Sequence, residues 1–86
     1  MAQIKIGDHV RVEWEDHWHT TDEELTLEQI KKSHSKPYIG KASGVVVLNN
    51  RKVLVIASNY WPKSKTYDGS IFCIIKKCIT NLKVLK

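Results

Sequence analysis

Residues 44–58 constrain this chain more than any other stretch. Two runs of β-branched and aliphatic residues, Val45–Leu48 and Val53–Ala57, flank Asn49-Asn50. Asparagine tolerates the positive φ that a tight hairpin turn requires. A two-residue loop at Asn49-Asn50 would set Val46 opposite Val53 and Val45 opposite Leu54. One face would then hold Val46, Leu48, Val53 and Val55, and the other Val45, Val47, Leu54 and Ile56. Both strands are apolar on both faces, unlike a hairpin with one face toward water. The sequence therefore predicts a central hairpin, covered on both sides by the rest of a small domain.

The chain has 86 residues, room for one domain (1–86) and no second core. No stretch reaches the 18 or more apolar residues that a membrane helix needs. The opening Met-Ala-Gln-Ile-Lys-Ile-Gly has no apolar core of the signal-peptide kind, so a cytoplasmic protein is expected. Cys73 and Cys78 are then expected to be reduced thiols, packed as small buried hydrophobes. Their spacing differs from the Cys-x2-Cys of a zinc knuckle, and there is no second pair.

The net charge of +5 is unevenly spread. Residues 1–35 hold four Lys or Arg against eight Asp or Glu, a net of −4. Residues 36–86 hold ten against Asp68 alone, a net of +9. Such asymmetry points either to an anionic partner or to an acidic segment that folds back on the basic one.

In chain order, Val10, Val12 and Trp14 alternate with His9, Arg11 and Glu13, the pattern of a half-buried strand with Trp14 on its core face. A polar excursion follows over 15–43. Within it both Thr21–Glu24 and Thr26–Gln29 fit a capping box. Leu25 before the second suits a hydrophobic staple on Ile30, and Lys31 and Lys32 suit a helix C-terminus, so a short helix is expected over 26–33. Pro37 ends it. Residues 59–69 contain Pro62 and Asp68-Gly69 and are expected to form a loop. Residues 70–75 are expected to form a strand covered on both faces, Lys76–Cys78 a 3₁₀ turn, and Ile79, Leu82 and Val84 a last short strand.

This layout is mainly β: a small five-stranded SH3-like barrel with a short helix inserted after the first strand. The segment Ile6-Gly7-Asp8-x-Val10-x-Val12 resembles the opening of many such barrels. The chain is also similar to small uncharacterised phage and prophage proteins. The shared features are Val12-Glu13-Trp14, Trp18, Ser43-Gly44-Val45-Val46 and Ile74–Leu82. These are core and turn residues, so the resemblance implies a fold and carries no function with it.

Few motifs suggest chemistry. Gly40-Lys41-Ala42-Ser43 lacks the upstream glycine and the hydroxyl residue of a phosphate loop. Asp16-His17-Trp18-His19 offers two imidazoles and a carboxylate but not the paired spacing of a closed metal site, so no metal or cofactor is expected. No nucleophile–base–orienter set appears, and no enzyme or small-molecule substrate is expected.

The candidate binding residues are Tyr60, Trp61, Lys63, Lys65 and Tyr67, with Trp18. Rings can stack on bases or pack on a peptide, and lysines neutralise phosphates. Trp61 has two readings, an exposed ring or a lid on an open barrel end. Two partners fit: nucleic acid bound non-specifically through the basic half, or a protein held by Trp18 with the same aromatics, as in a phage-type adaptor.

Overall fold

The computed structural model describes residues 3–19 and 21–85. It is mainly β: one antiparallel sheet in the order β4-β3-β2-β1-β5, built from β1 (His9–Asp16), β2 (Tyr38–Asn49), β3 (Val53–Trp61), β4 (Thr66–Ile75) and β5 (Ile79–Leu85). Helix α1 (Leu27–Ser33) sits between β1 and β2, and a 3₁₀ turn (Lys76–Cys78) joins β4 to β5. No pairing of β4 with β5 closes the sheet into a barrel among the described residues.

The inner face carries the core. Val10, Val12, Val46, Leu54, Ile56 and Ile74 form one buried cluster, with Trp14, Phe72, Ile79, Leu82 and Val84 packed against it. The alternation of β1 puts Val10, Val12 and Trp14 on this face, as the sequence predicted. Opposite them β2 supplies only small residues: Gly44 faces Val10, Ala42 faces Val12 and Gly40 faces Trp14. A β-carbon at Gly44 would press on the Ala57 carbonyl, so β2 and β3 meet closely where the sheet curls.

Three β-bulges add to that curl, each an extra residue that bends its strand and increases twist. The register skips Val47 on β2, between Val46 opposite Ile56 and Leu48 opposite Val55. It skips Thr80 on β5, where Glu13 faces Asn81 and Trp14 faces Ile79. On β4, Gly69 and Ser70 span the place of Ser58 alone. Gly69 has φ +79°, the left-handed conformation that such a bulge requires and glycine adopts freely. The Ser58 hydroxyl accepts the Ser70 amide at 2.9 Å, recovering a bond that the broken ladder would lose.

The central hairpin differs from expectation in register. Asn49 lies inside β2 opposite Leu54, and Asn50-Arg51-Lys52-Val53 makes the turn, with the Asn50 amide donating to the Val53 carbonyl at 3.1 Å. Val46 faces Ile56 rather than Val53, and Val45 faces Ala57 rather than Leu54. Two causes act together. The Asn50 side-chain oxygen accepts both the Lys52 and Val53 amides at 2.9 Å, fixing Asn50 as the first turn residue. The bulge at Val47 then shifts everything upstream by one residue.

The expected cover on both faces is only partly present. Val45 and Ala57 are buried on the outer face, but Leu48 is 47% exposed there. The residue 70–75 strand is a sheet edge rather than covered: Ile71 and Ile75 are more than half exposed. Cys73 is exposed and Cys78 half-buried, both free; the expected burial fails for Cys73 because it lies on the outer face of β4 with the exposed Ile71 and Ile75, while Ile74 on the inner face is buried.

Helix α1 matches its capping signals, with Lys31 and Lys32 in its last turn. Thr26 caps it, accepting the Gln29 amide, while the Gln29 side chain accepts the Thr26 amide. The earlier box at Thr21–Glu24 starts no helix, and Asp22 there takes φ 62°. No residue of α1 is buried. The radius of gyration is 16.4 Å, against about 12 Å for a compact chain of this length. The molecule extends over 54 Å along one axis.

Candidate functional site

The stretch 59–69, expected to be a loop, is a β-hairpin end. Asn59 faces Asp68, Tyr60 faces Tyr67 and Trp61 faces Thr66, with Pro62–Lys65 as the turn. The difference has a physical source. Asp68-Gly69 marks a bulge rather than a chain break, and Pro62 stands just past the last residue of β3, where its missing N–H costs the ladder nothing. Lys65 takes φ 55°, closing the turn.

Tyr60 and Tyr67 are a cross-strand pair with ring centroids 5.0 Å apart, tilted by 30°. Strand alternation puts Trp61 on the opposite face of this ribbon, so the rings flank both faces rather than forming one platform. Trp61 is 53% exposed, which decides between the two readings of its side chain: it is no lid on the core. Lys63 and Lys65 are exposed in the turn between the two faces. Among the described residues the ion pairs are Lys41–Glu13 at 3.3 Å and His17–Asp16 at 3.6 Å, so neither turn lysine is neutralised by a carboxylate. The acidic segment does not fold back onto these lysines; its carboxylates at Asp22, Glu23, Glu24 and Glu28 pair with no described lysine of the basic half. Lys86 lies outside the described residues.

Trp18 does not join this group. Its indole stacks on His34 at 4.3 Å, meets Tyr38 edge-on at 6.1 Å, and donates its N–H to the Lys36 carbonyl at 3.1 Å. It ties the segment leaving β1 to the segment entering β2, at the root of the α1 excursion. Beside it lies an open hollow of about 560 Å³ whose lining includes Asp16, Trp18, His34, Lys36 and Lys77. Its mixed charges converge on no single chemistry, and among the described residues no group of three or more His, Cys, Asp or Glu is placed to hold a metal ion.

A second basic group has no signal in the sequence. The Lys76 amide donates to the Lys52 carbonyl at 2.9 Å, setting Arg51 and Lys52 of one turn beside Lys76 and Lys77 of another. The two pairs are far apart in the chain, and only the ladder between β3 and β4 brings them together. The β3–β4 ribbon thus carries positive charge at both ends, roughly 27 Å apart along nine strand residues.

The electrostatics of β1 are different. Glu13 faces Lys41 on one side and Asn81 on the other. The Asn81 amide, donating at 3.2 Å, and then Lys41 hold its carboxyl below its ordinary value of 4.5. No helix among the described residues is long and apolar enough to cross a membrane. No protein-family model matches the chain, and no curated protein or solved structure is detectably similar to it.

Proposed function

We propose that the protein is a small non-enzymatic binding module that takes up single-stranded nucleic acid, without base specificity, at the end of its β3–β4 hairpin. The observation that carries this reading is the exposed Trp61 ring beside two lysines with no acidic partner. A base stacks on the indole, and Lys63 and Lys65 neutralise the flanking phosphates. The Tyr60–Tyr67 pair offers a second ring surface on the other face. The module works without metal, cofactor or small-molecule substrate, in the cytoplasm.

For the fold we propose an SH3-like barrel, opened along β4. Supporting this are the meander β1 to β4, the 3₁₀ turn before β5, the return of β5 to β1, and the three bulges that curl the sheet. The alternative is a protein-interaction module of the adaptor type that uses Trp18 with the hairpin aromatics; the exposed turn lysines without an acidic partner favour the nucleic-acid reading.

Fluorescence anisotropy with a labelled oligonucleotide at two salt concentrations tests the proposal. Lys63→Glu with Lys65→Glu should weaken binding alike for every sequence. Each phosphate that the variant no longer neutralises should reduce the salt slope by about 0.7–0.9. No binding by the wild type at low salt would instead favour a protein partner for the same aromatic surface.

A further inference from the structure

The free edge of β4 has a pattern of its own. Lys76 donates its amide to Lys52, so that pair is hydrogen-bonded. Antiparallel pairs alternate, so Leu54–Ile74 and Ile56–Phe72 are hydrogen-bonded as well. The N–H and C=O groups of Ile71, Cys73 and Ile75 therefore point away from β3, toward the open edge. Their side chains share the outer face, where Ile71 is 57% and Ile75 58% exposed and Cys73 is also exposed. Leu48, 47% exposed, and the half-buried Val55 extend this apolar surface across β2 and β3, since Leu48 faces Val55 and Val55 faces Cys73.

Edge strands are usually protected by a charge, a proline or a bulge. Here the bulge at Gly69 and the 3₁₀ turn at Lys76 protect only the two ends. Between them Ile71–Ile75 holds no charge and no proline. The stretch is also self-complementary about its middle residue. Run antiparallel to itself around Cys73, it sets Ile71 opposite Ile75, Phe72 opposite Ile74 and Cys73 opposite Cys73. All three residues with outward backbone groups then fall at hydrogen-bonded positions. Centring on Phe72 would pair Ile75 with the bulged Gly69, and centring on Ile74 would pair Phe72 with Lys76, where the strand has ended.

We propose that β4 is a homodimerisation edge, with a second copy of this chain adding its own β4 antiparallel about Cys73. The product is a two-fold symmetric, ten-stranded sheet in which each residue pair is reciprocal. The exposed aliphatic side chains of the two copies form one continuous outer surface. Beyond the paired stretch, Asp68, the lone acid of residues 36–86, runs toward Lys76 and Lys77 of the second copy. This inference is independent of nucleic-acid binding, because the hairpin end lies outside the paired segment.

Sedimentation equilibrium of the full chain, together with thiol cross-linking, tests it. The wild type should approach twice its 9.9 kDa mass as concentration rises, and a short bismaleimide should link it into a covalent dimer. Cys78→Ser should keep that cross-link and Cys73→Ser should lose it, because the two Cys73 Cα atoms would sit about 5.5 Å apart. Ile71→Lys with Ile75→Lys should return the chain to monomer mass with an unchanged circular dichroism spectrum, since both side chains are already exposed. A wild type that stays monomeric at every concentration overturns the proposal. So does a double-lysine variant that folds and stays dimeric, or a cross-link that runs through Cys78.

Discussion

Trp14 on β1 lies directly opposite Gly40 on β2, and its indole fills the space that a β-carbon at Gly40 would need. The ring also meets Phe72 of β4 at 5.8 Å, so it links the β1–β2 pair to the far side of the curled sheet. Gly40→Ala must displace the indole and disturb its packing on Phe72. The expected loss is about 1–3 kcal/mol of stability, measured by urea unfolding followed through tryptophan fluorescence. An unchanged midpoint would show that the ring does not rest on the β2 backbone.

The turn makes a prediction opposite in sign to the one that a two-residue Asn49-Asn50 loop would make. Asn50→Gly would hold or raise stability in such a loop, because glycine takes positive φ without strain. In the observed turn it removes the side-chain oxygen that accepts the Lys52 and Val53 amides. We expect a loss of about 1–2 kcal/mol in chemical denaturation, and no loss would restore the shorter loop.

The two faces of the hairpin should respond unequally. Ile56 is fully buried and Leu48 47% exposed. Ile56→Ala should cost about 2–5 kcal/mol, through reduced burial and the cavity left behind. Leu48→Ala should cost about 0.5 kcal/mol or less in the monomer. Parallel denaturation curves measure both, and equal losses would mean that the outer face is covered.

Acid should act on Glu13. Its carboxyl is held below the ordinary value by Asn81 and Lys41, so its folded form binds a proton less readily than its unfolded form. The stability it contributes is present above pH 4.5 and is lost as pH falls through the lower folded value. Melting temperature measured from about pH 5 to 3 should therefore fall less steeply for Glu13→Gln than for the wild type. Identical slopes would mean that the Glu13 bonds do not persist in solution.

Much of the architecture was legible because local signals agreed with it. The Thr26 cap, the alternation Val10-Val12-Trp14 and the 3₁₀ turn at Lys76–Cys78 all appear where sequence placed them. What the sequence hid lies mostly in bulges. Val47, Gly69-Ser70 and Thr80 each shift the register by one residue, and a shift of that size moves side chains between faces without altering the apolar pattern. Gly69 shows the ambiguity best, since a glycine that ends a loop and a glycine that bends a strand look alike in sequence. The exposure of Cys73 was equally hidden, because a strand open on one face and a strand covered on both can share the same apolar run. At the candidate site the residue types pointed to Tyr60, Trp61, Lys63, Lys65 and Tyr67, which the hairpin does bring together. Trp18 instead finds its partners locally, in His34 and Tyr38.

Uptake of single strands at the hairpin end is tested most sharply by equilibrium binding of Trp61→Ala to one labelled oligonucleotide, single-stranded and as a duplex. Trp61 packs on no core, so the variant should fold as the wild type does. If a base stacks on this ring, the substitution should cost about 1–3 kcal/mol on the single strand and far less on the duplex, whose bases offer no free face. Absence of wild-type binding at low salt, or an equal loss on both forms, would refute base stacking at Trp61.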